Sequence, residues 1–205
     1  MADISMEKPK VEDLLDIAKS YYDEREKLVY SIKGNTFLSG GEIYDPEHDM
    51  RGRIDCSTYI HLILQGIPYE KSPYVTGNTE DFFLSDCPWA QKEIAELMFN
   101  NEPIRKAHQL AKYYSDLGMV RSDKEWKPGD ILFFQVRPEK LDFYLSFNIF
   151  KGIYHIGIVE EDRDEMYESS GNQTVGIENN YIRPGIRISP INSRSNPLFY
   201  VRLSE

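Results

Sequence analysis

The chain has 205 residues and is 40% hydrophobic, which is enough for one domain with a buried core. Its formal net charge of −10 at pH 7 argues against a general nucleic-acid binder, because such a protein needs basic patches to displace counterions. No apolar run approaches the length of about 18 residues that a membrane span needs, and the N-terminus lacks the apolar stretch of a secretory signal. We therefore expect a cytoplasmic protein, with another export route or a phage origin as open alternatives, and the oligomeric state is left open.

The first half of the chain is predicted to be mainly helical. Apolar side chains recur at helical spacing over residues 11–26, and a glycine-rich loop follows over residues 34–52. Asp55 precedes the apolar segment 56–65 as a candidate N-cap, and Gly66 then ends that helix. An irregular stretch at 66–88 is followed by two further predicted helices, at residues 89–99 and 103–117.

The second half is predicted to be mainly β-structure. It opens with a turn at residues 126–130, and four short apolar runs are typical of strands: 131–136, 154–160, 165–169 and 198–203. Residues 137–152 are rich in Phe and Tyr, and we predict neither a helix nor a strand there. Helices followed by an antiparallel meander predict the α+β class. The absence of a repeat or an obvious linker predicts one domain over residues 1–205.

Cys56 is the first candidate site residue, because it opens a predicted helix. A helix N-terminus carries partial positive charge, which stabilises a thiolate by about 0.3–1 kcal/mol. Lowering the thiol pKa by about two units requires about 2.7 kcal/mol, so a neighbouring imidazolium would have to supply the rest. A small buried cysteine in the core is the alternative interpretation.

His155 is the candidate partner, because an imidazole within the apolar run 154–160 needs a polar contact if it is buried. His48, His61 and His108 are weaker candidates from their positions in a loop or on helix faces. The chain's two cysteines and four histidines have no zinc-ligand spacing, so we expect no metal and no cofactor.

Glu168 lies 13 residues after His155, a spacing that suits a strand, a tight turn and a partner strand. A carboxylate there could orient the imidazole and favour its protonated form. Asn172 and Gln173 are alternative orienting residues, and a solvated charge at a strand end is the alternative role for Glu168.

Five segments in this order resemble the NlpC-type papain-like peptidases, which cut bacterial peptidoglycan stem peptides. They are Phe37-Leu38-Ser39-Gly40-Gly41, Asp55-Cys56-Ser57, Lys127-Pro128-Gly129-Asp130, His155-Ile156-Gly157-Ile158 and Met166-Tyr167-Glu168-Ser169-Ser170. The resemblance covers residues 30–170 with gaps. It implies a papain-like fold in which N-terminal helices, with the nucleophile at a helix start, pack on a central antiparallel sheet, with a helical insertion at about residues 66–125.

The resemblance also implies an activity and its residues. Cys56, His155 and Glu168 would be catalytic, although the family usually has His as its third residue. Asp55 and Ser57 match positions that hold a substrate's free amino group, although Asp55 as a plain N-cap fits equally well. Gly41 and Tyr44 would also contact substrate; Tyr30 or Tyr44 could replace the family's usual tyrosine hydroxyl, because Phe37 lacks one.

The function expected from the resemblance is a γ-D-glutamyl–diamino acid endopeptidase that uses Cys–His chemistry on a peptide from peptidoglycan, with no nucleic-acid partner. Two other functions remain open. One is an amidase or acyltransferase of the same superfamily acting on another substrate. The other is a non-catalytic binding module that kept the fold.

Overall fold

The computed structural model of the chain describes residues 8–30, 52–77, 106–171, 185–194 and 197–204. Within these ranges helices pack on an antiparallel sheet, which confirms the predicted α+β class. The predicted helix at 89–99 and all but the last residue of the predicted loop at 34–52 lie outside the described residues. In the described part, no helix is both long and apolar enough to cross a bilayer.

Three of the described helices bury apolar residues against one face of the sheet. They are α1 (Val11–Asp23), α2 (Cys56–Leu64) and α4 (Ala107–Asp116). Every residue of α2 is buried, as its nearly continuous apolar sequence predicts. Two shorter elements lie between α2 and α4, a 3₁₀ turn (Tyr69–Lys71) and α3 (Pro73–Thr76). A further 3₁₀ turn (Arg25–Lys27) follows α1, so the helix predicted over residues 11–26 ends slightly early.

The described strands form a six-stranded sheet in the order β1-β6-β2-β3-β4-β5, with every neighbouring pair antiparallel. Their bounds are β1 (Val120–Arg121), β2 (Ile131–Gln135), β3 (Ile153–Val159), β4 (Glu165–Ser169), β5 (Ile186–Pro190) and β6 (Pro197–Val201). Strands β2 to β5 follow one another as a meander, and β6 returns to lie beside β2.

The sheet separates two apolar clusters, because successive strand side chains point to opposite faces. The helical face includes Ile131, Phe133, Ile156 and Ile158, which share a cluster with residues of α1, α2 and α4. The opposite face includes Leu132, Phe134, Val159, Met166 and Tyr200. His155 pairs with Phe134 across β2 and β3, so the two side chains share a face. Glu168 is two residues after Met166 on β4 and shares its face. His155 and Glu168 therefore both lie on the face opposite the helices.

Strands β3 and β4 separate at one end, and this separation positions the candidate site. They are paired only at Ile158–Tyr167 and Val159–Met166, whereas β4 stays paired with β5 as far as Ser169. We call the opening between residues 153–157 of β3 and residues 168–169 of β4 the strand gap. The hydroxyl of Ser169 donates to the carbonyl of Ile54 at 2.6 Å, which anchors the approach to α2 at this gap.

Some elements were not predicted from sequence. The Phe- and Tyr-rich segment contains a helix, α5 (Pro138–Ser146), in which no residue is buried, and Phe143 and Phe147 are 65% and 64% exposed. The apolar residues of α5 therefore do not form one face that is buried in a core. The short strand β1 was missed, and so was β5, in which apolar residues alternate with Arg187 and Ser189.

The described part of the predicted insertion at 66–125 contributes to the main core. Leu110, Ala111 and Tyr114 of α4 are buried in the cluster on the helical face, and α4 contacts β3. The predicted insertion therefore supplies part of the main hydrophobic core.

The Pro-Gly-Asp turn before β2 is held by a buried ion pair. Arg202 donates from Nε and Nη2 to the two carboxylate oxygens of Asp130, at 2.9 and 2.8 Å. Asp130 also accepts from the backbone N–H of Lys127 at 2.7 Å, so one carboxylate closes the turn and fixes the end of the chain beyond β6. Two parallel bonds between guanidinium and carboxylate are the strongest geometry for such a pair.

We expect Asp130→Asn to destabilise the protein by about 3–5 kcal/mol, because it removes the buried carboxylate that binds the guanidinium of Arg202 through two bonds. Urea denaturation monitored by circular dichroism measures this loss. Asp116→Asn is the matched control: it breaks the exposed Lys112–Asp116 pair and should change stability little. Equal effects of the two variants would contradict the assigned role of Asp130.

Candidate active site

Asp55 caps helix α2 and so fixes the position of Cys56. Its backbone is extended, and its Oδ1 accepts from the N–H of Thr58 at 2.8 Å and from the hydroxyl of Ser57 at 3.1 Å. Both are local bonds of an N-cap, so the capping role predicted for Asp55 is present. Burial raises the pKa of the Asp55 carboxyl, and its bonds to Thr58 and Ser57 act in the opposite direction.

Cys56 is a free thiol at the first residue of α2 and is 7% exposed. The backbone amide of Ile156, which faces the strand gap, interacts with its sulfur. Burial raises the pKa of Cys56 well above its ordinary value, and the nearby charge of Asp55 raises it further. The expected helix-terminal stabilisation of a thiolate is therefore outweighed in this conformation, and the thiol is protonated at neutral pH.

His155 and Glu168 form a buried pair across the strand gap. The ring Nε2 of His155 lies 2.5 Å from Oε2 of Glu168, and the two residues are 4% and 0% exposed. The ring packs beside Phe134, with 5.7 Å between ring centroids. Because Nε2 faces the carboxylate, Nδ1 is the ring atom left to exchange a proton with a substrate or a nucleophile.

Glu168 is held by three further donors besides His155. Its Oε1 accepts from Nε of Arg187 and from the hydroxyl of Ser189, both at 2.8 Å, and its Oε2 accepts from Nε of Arg194 at 2.8 Å. Burial alone would raise the pKa of Glu168, but the hydrogen bonds from His155 and Arg194, together with the charge of Arg194, hold it well below its ordinary value. Glu168 is therefore ionised throughout the neutral range, although it has no solvent contact.

The two arginines change what Glu168 does to the imidazole. We expected the carboxylate to favour protonated His155, and its hydrogen bond and charge do act in that direction. Burial has the larger effect and lowers the pKa of His155, and the charges of Arg194 and Arg187 lower it further. The structure therefore favours neutral His155 beside neutral Cys56 over an ion pair of thiolate and imidazolium.

The candidate catalytic residues lie on the two faces of the sheet near the strand gap. Cys56 reaches it from the helical face, and His155 and Glu168 lie on the opposite face. Among the hydrogen bonds of the described residues, none joins the Cys56 sulfur to the His155 ring. Glu168 is nevertheless close enough for its charge to act on the pKa of Cys56. Of the predicted substrate residues, Asp55 and Ser57 are at this site, whereas Gly41 and Tyr44 lie outside the described residues, as do the alternative orienting residues Asn172 and Gln173.

Tyr30 is close to the same site. Burial raises the pKa of its hydroxyl, and the charges of Asp55, Arg194 and Glu168 act on it. The Tyr30 ring also packs against the backbone at Gly171, where the Cβ of any larger residue would lie only 3.0 Å from the ring. Tyr30 was one of two tyrosines that the sequence suggested as a replacement for the hydroxyl missing at Phe37.

Arg187, Ser189 and Arg194 were missed from the sequence. The only signal was indirect, because a buried carboxylate at residue 168 requires cationic or hydroxyl partners. The sequence did not indicate which of the chain's 24 basic residues would supply them. The described residues contain no cluster of three or more His, Cys, Asp or Glu side chains that could hold a metal ion.

Comparisons with protein-family models, with curated proteins and with solved structures found no match to this chain.

Replacing Glu168 tests whether its charge is bound as described. Because its folded pKa is depressed, its stabilising effect is complete above the ordinary carboxyl pKa of 4.5 and declines as the pH falls toward the lower folded pKa. We expect Glu168→Gln to be less stable than the parent by about 3–5 kcal/mol at pH 7, with a smaller difference at pH 3. Denaturant titrations across this range measure the difference.

The control for this experiment is Asp23→Asn, which removes the exposed partner of Lys19. Its stability difference from the parent should be small at every pH. A Glu168→Gln deficit that does not change between pH 7 and pH 3 would show that the carboxylate is not ionised in the folded protein.

Proposed function

We propose that the protein is a cysteine hydrolase that cleaves amide bonds in bacterial cell-wall stem peptides. The observation that carries the proposal is the buried pair of His155 and Glu168 beside the helix start that presents Cys56. A nucleophile, a base and a carboxylate that orients the base are the parts that acyl transfer requires. The substrate class comes from the motif resemblance alone.

The neutral states of Cys56 and His155 define the first chemical step of this proposal. The sulfur attacks the scissile carbonyl carbon while Nδ1 of His155 takes the thiol proton, so proton transfer accompanies attack. This step requires the Cys56 side chain to approach the ring across the strand gap. Catalytic hydrogen bonds are often long in a free enzyme and shorten when substrate binds, which is compatible with such an approach.

The remaining steps use the same two side chains. The N–H of Cys56 lies in the first turn of α2, where amides have no partner within the helix, and it donates to the oxyanion. The carbon–nitrogen bond breaks, and His155 returns its proton to the leaving amine, which leaves a thioester on Cys56. Water then attacks the thioester with His155 as base, which releases the acid and restores the thiol.

Asp55 and Ser57 support a specific form of the substrate. The resemblance implies that these positions bind a free amino group at the peptide's N-terminus. In the structure, Ser57 and Thr58 both bond to Oδ1 of Asp55, which holds the carboxyl at the site in a fixed orientation. A peptide with an acetylated N-terminus should therefore be a poorer substrate than the free peptide.

The central test is turnover of a stem tetrapeptide that contains a γ-D-glutamyl–diamino acid bond. We expect Cys56→Ala to reduce product formation to background, because no other group forms the thioester, and to fold as the parent does. Cys87→Ala is the control, since it removes the chain's other cysteine and should keep full activity. Parent-like turnover by Cys56→Ala in a mass-spectrometric assay would refute the proposal.

A non-catalytic binding module is the second candidate function, and the burial and raised pKa of Cys56 are the observations that favour it. An inert buried thiol reacts slowly whatever surrounds it, whereas a thiol coupled to a base depends on that base. The iodoacetamide reaction therefore distinguishes the two functions, provided that it is followed in a Cys87→Ala background where Cys56 is the only thiol.

We expect His155→Ala to slow alkylation of Cys56 by at least about tenfold, because a positioned general base typically contributes about 10²–10⁴-fold to a rate. His108→Ala is the matched control, because His108 lies on α4 away from the Glu168 partners, and it should leave the rate unchanged. Equal rates in the two variants would favour the binding module.

A further inference from the structure

Arg194 shares one carboxylate oxygen with the imidazole of His155. Both Nε of Arg194 and Nε2 of His155 contact Oε2 of Glu168, at 2.8 and 2.5 Å. Arg187 and Ser189 bind the other oxygen, Oε1. The position of the guanidinium of Arg194 is thus tied to the same atom that orients the base.

The cluster carries more positive than negative charge before His155 takes up a proton. Glu168 contributes one negative charge, and Arg187 and Arg194 contribute one positive charge each. Protonating His155 would add a second net positive charge at a position that is 4% exposed. Like charges at short range in a buried site oppose one another more strongly than in water.

We propose that Arg194 is a positioning residue that keeps His155 unprotonated and correctly oriented as a base, by neutralising the carboxylate oxygen that the two side chains share. This inference rests on the proposed function, in which His155 must accept a proton from Cys56. Arg194 lies outside the five segments of the resemblance, and the inference gives it a direct effect on His155.

Arg194 is better placed for this role than Arg187. Its side chain is 10% exposed, compared with 35% for Arg187, so solvent screens its charge less. It is held further by a 2.5 Å bond from Nη2 to the hydroxyl of Ser170. Arg187 makes only a long 3.4 Å contact to Ser170.

The other titratable groups around the cluster do not reverse the effect of Arg194, which opposes protonation of His155. Among the described residues they are the thiol of Cys56, the hydroxyls of Tyr30 and Tyr154, and the carboxyl of Asp55. Cys56 and Tyr30 both have raised pKa values and are uncharged near neutrality. Arg194 and Arg187 are thus the positive charges, and Glu168 the contacting negative charge, that act on His155.

Proton NMR titration of the imidazole resonances tests the inference without requiring turnover. The chain has four histidines, and loss of one signal in His155→Gln identifies the resonance of interest. In Arg194→Gln we expect the His155 midpoint to rise by about one pH unit, because Glu168 then favours the imidazolium with less opposition. Arg194→Lys should return the midpoint most of the way to the parent value, because it restores the charge.

Arg187→Gln is the matched control and should raise the midpoint by a clearly smaller amount. An unchanged or lower midpoint in Arg194→Gln would overturn the inference, and so would an equal rise in the two glutamine variants. If Arg194→Gln does not fold, Ser170→Ala provides the milder test: it removes the 2.5 Å bond to Nη2 of Arg194 and should move the midpoint upward by a smaller amount. No movement in that variant would then count against the inference.

The titration also separates this inference from the proposed function. If both are correct, the acid limb of kcat/KM in Arg194→Gln moves to higher pH together with the His155 midpoint, because more of the base is protonated at a given pH. A shifted midpoint with parent-like turnover by Cys56→Ala would retain the role of Arg194 and reject the hydrolase. An unshifted midpoint together with Cys56-dependent turnover would retain the hydrolase and reject the role of Arg194.

Discussion

A fully buried, ionised carboxylate at residue 168 is the constraint on which the candidate site depends. An unpaired charge in that position would cost several kcal/mol, so donors must surround it. They come from three segments that meet around Glu168. His155 lies on β3, Arg187 and Ser189 lie on β5, and Arg194 directly follows the 3₁₀ turn Ile191–Ser193. The pair of His155 and Glu168 lies where the β3–β4 ladder stops, so side chains of neighbouring strands supply part of this shell.

The electrostatics of the site oppose a resting ion pair between nucleophile and base. Burial raises the pKa of Cys56 and lowers that of His155, and the charges of the two arginines oppose the effect of Glu168 on His155. In the proposed hydrolysis, a neutral resting pair would move the cost of charge separation into the attack step, where the developing oxyanion and imidazolium appear together. Helix dipole and oxyanion donors then act on charge that exists only during reaction, which is where stabilisation accelerates a reaction.

The sequence predicted those elements whose residues bury one face or fill a core. Helix α2 and strands β2, β3, β4 and β6 were each predicted within one or two residues, because their apolar runs and their Gly and Pro boundaries carry the information. Helix α5 was missed because its Phe and Leu side chains remain exposed, so no periodic stripe marks it. The pairing of His155 with Glu168 followed from a 13-residue spacing, whereas the arginines depend on tertiary contacts that no local pattern encodes.

The two buried arginine–carboxylate sites of the described chain show what distinguishes a structural clamp from a reactive site. At Asp130, one guanidinium meets one carboxylate through two parallel bonds, a backbone amide completes the set, and the charges cancel. At Glu168 the guanidiniums outnumber the carboxylate, and one of its oxygens is shared with an imidazole that can gain or lose a proton. The first arrangement contains no imidazole and acts through its hydrogen bonds alone. The second couples protein charge to the proton affinity of His155, so under the proposed function the same chemical pair that holds the turn at Asp130 would tune the candidate base.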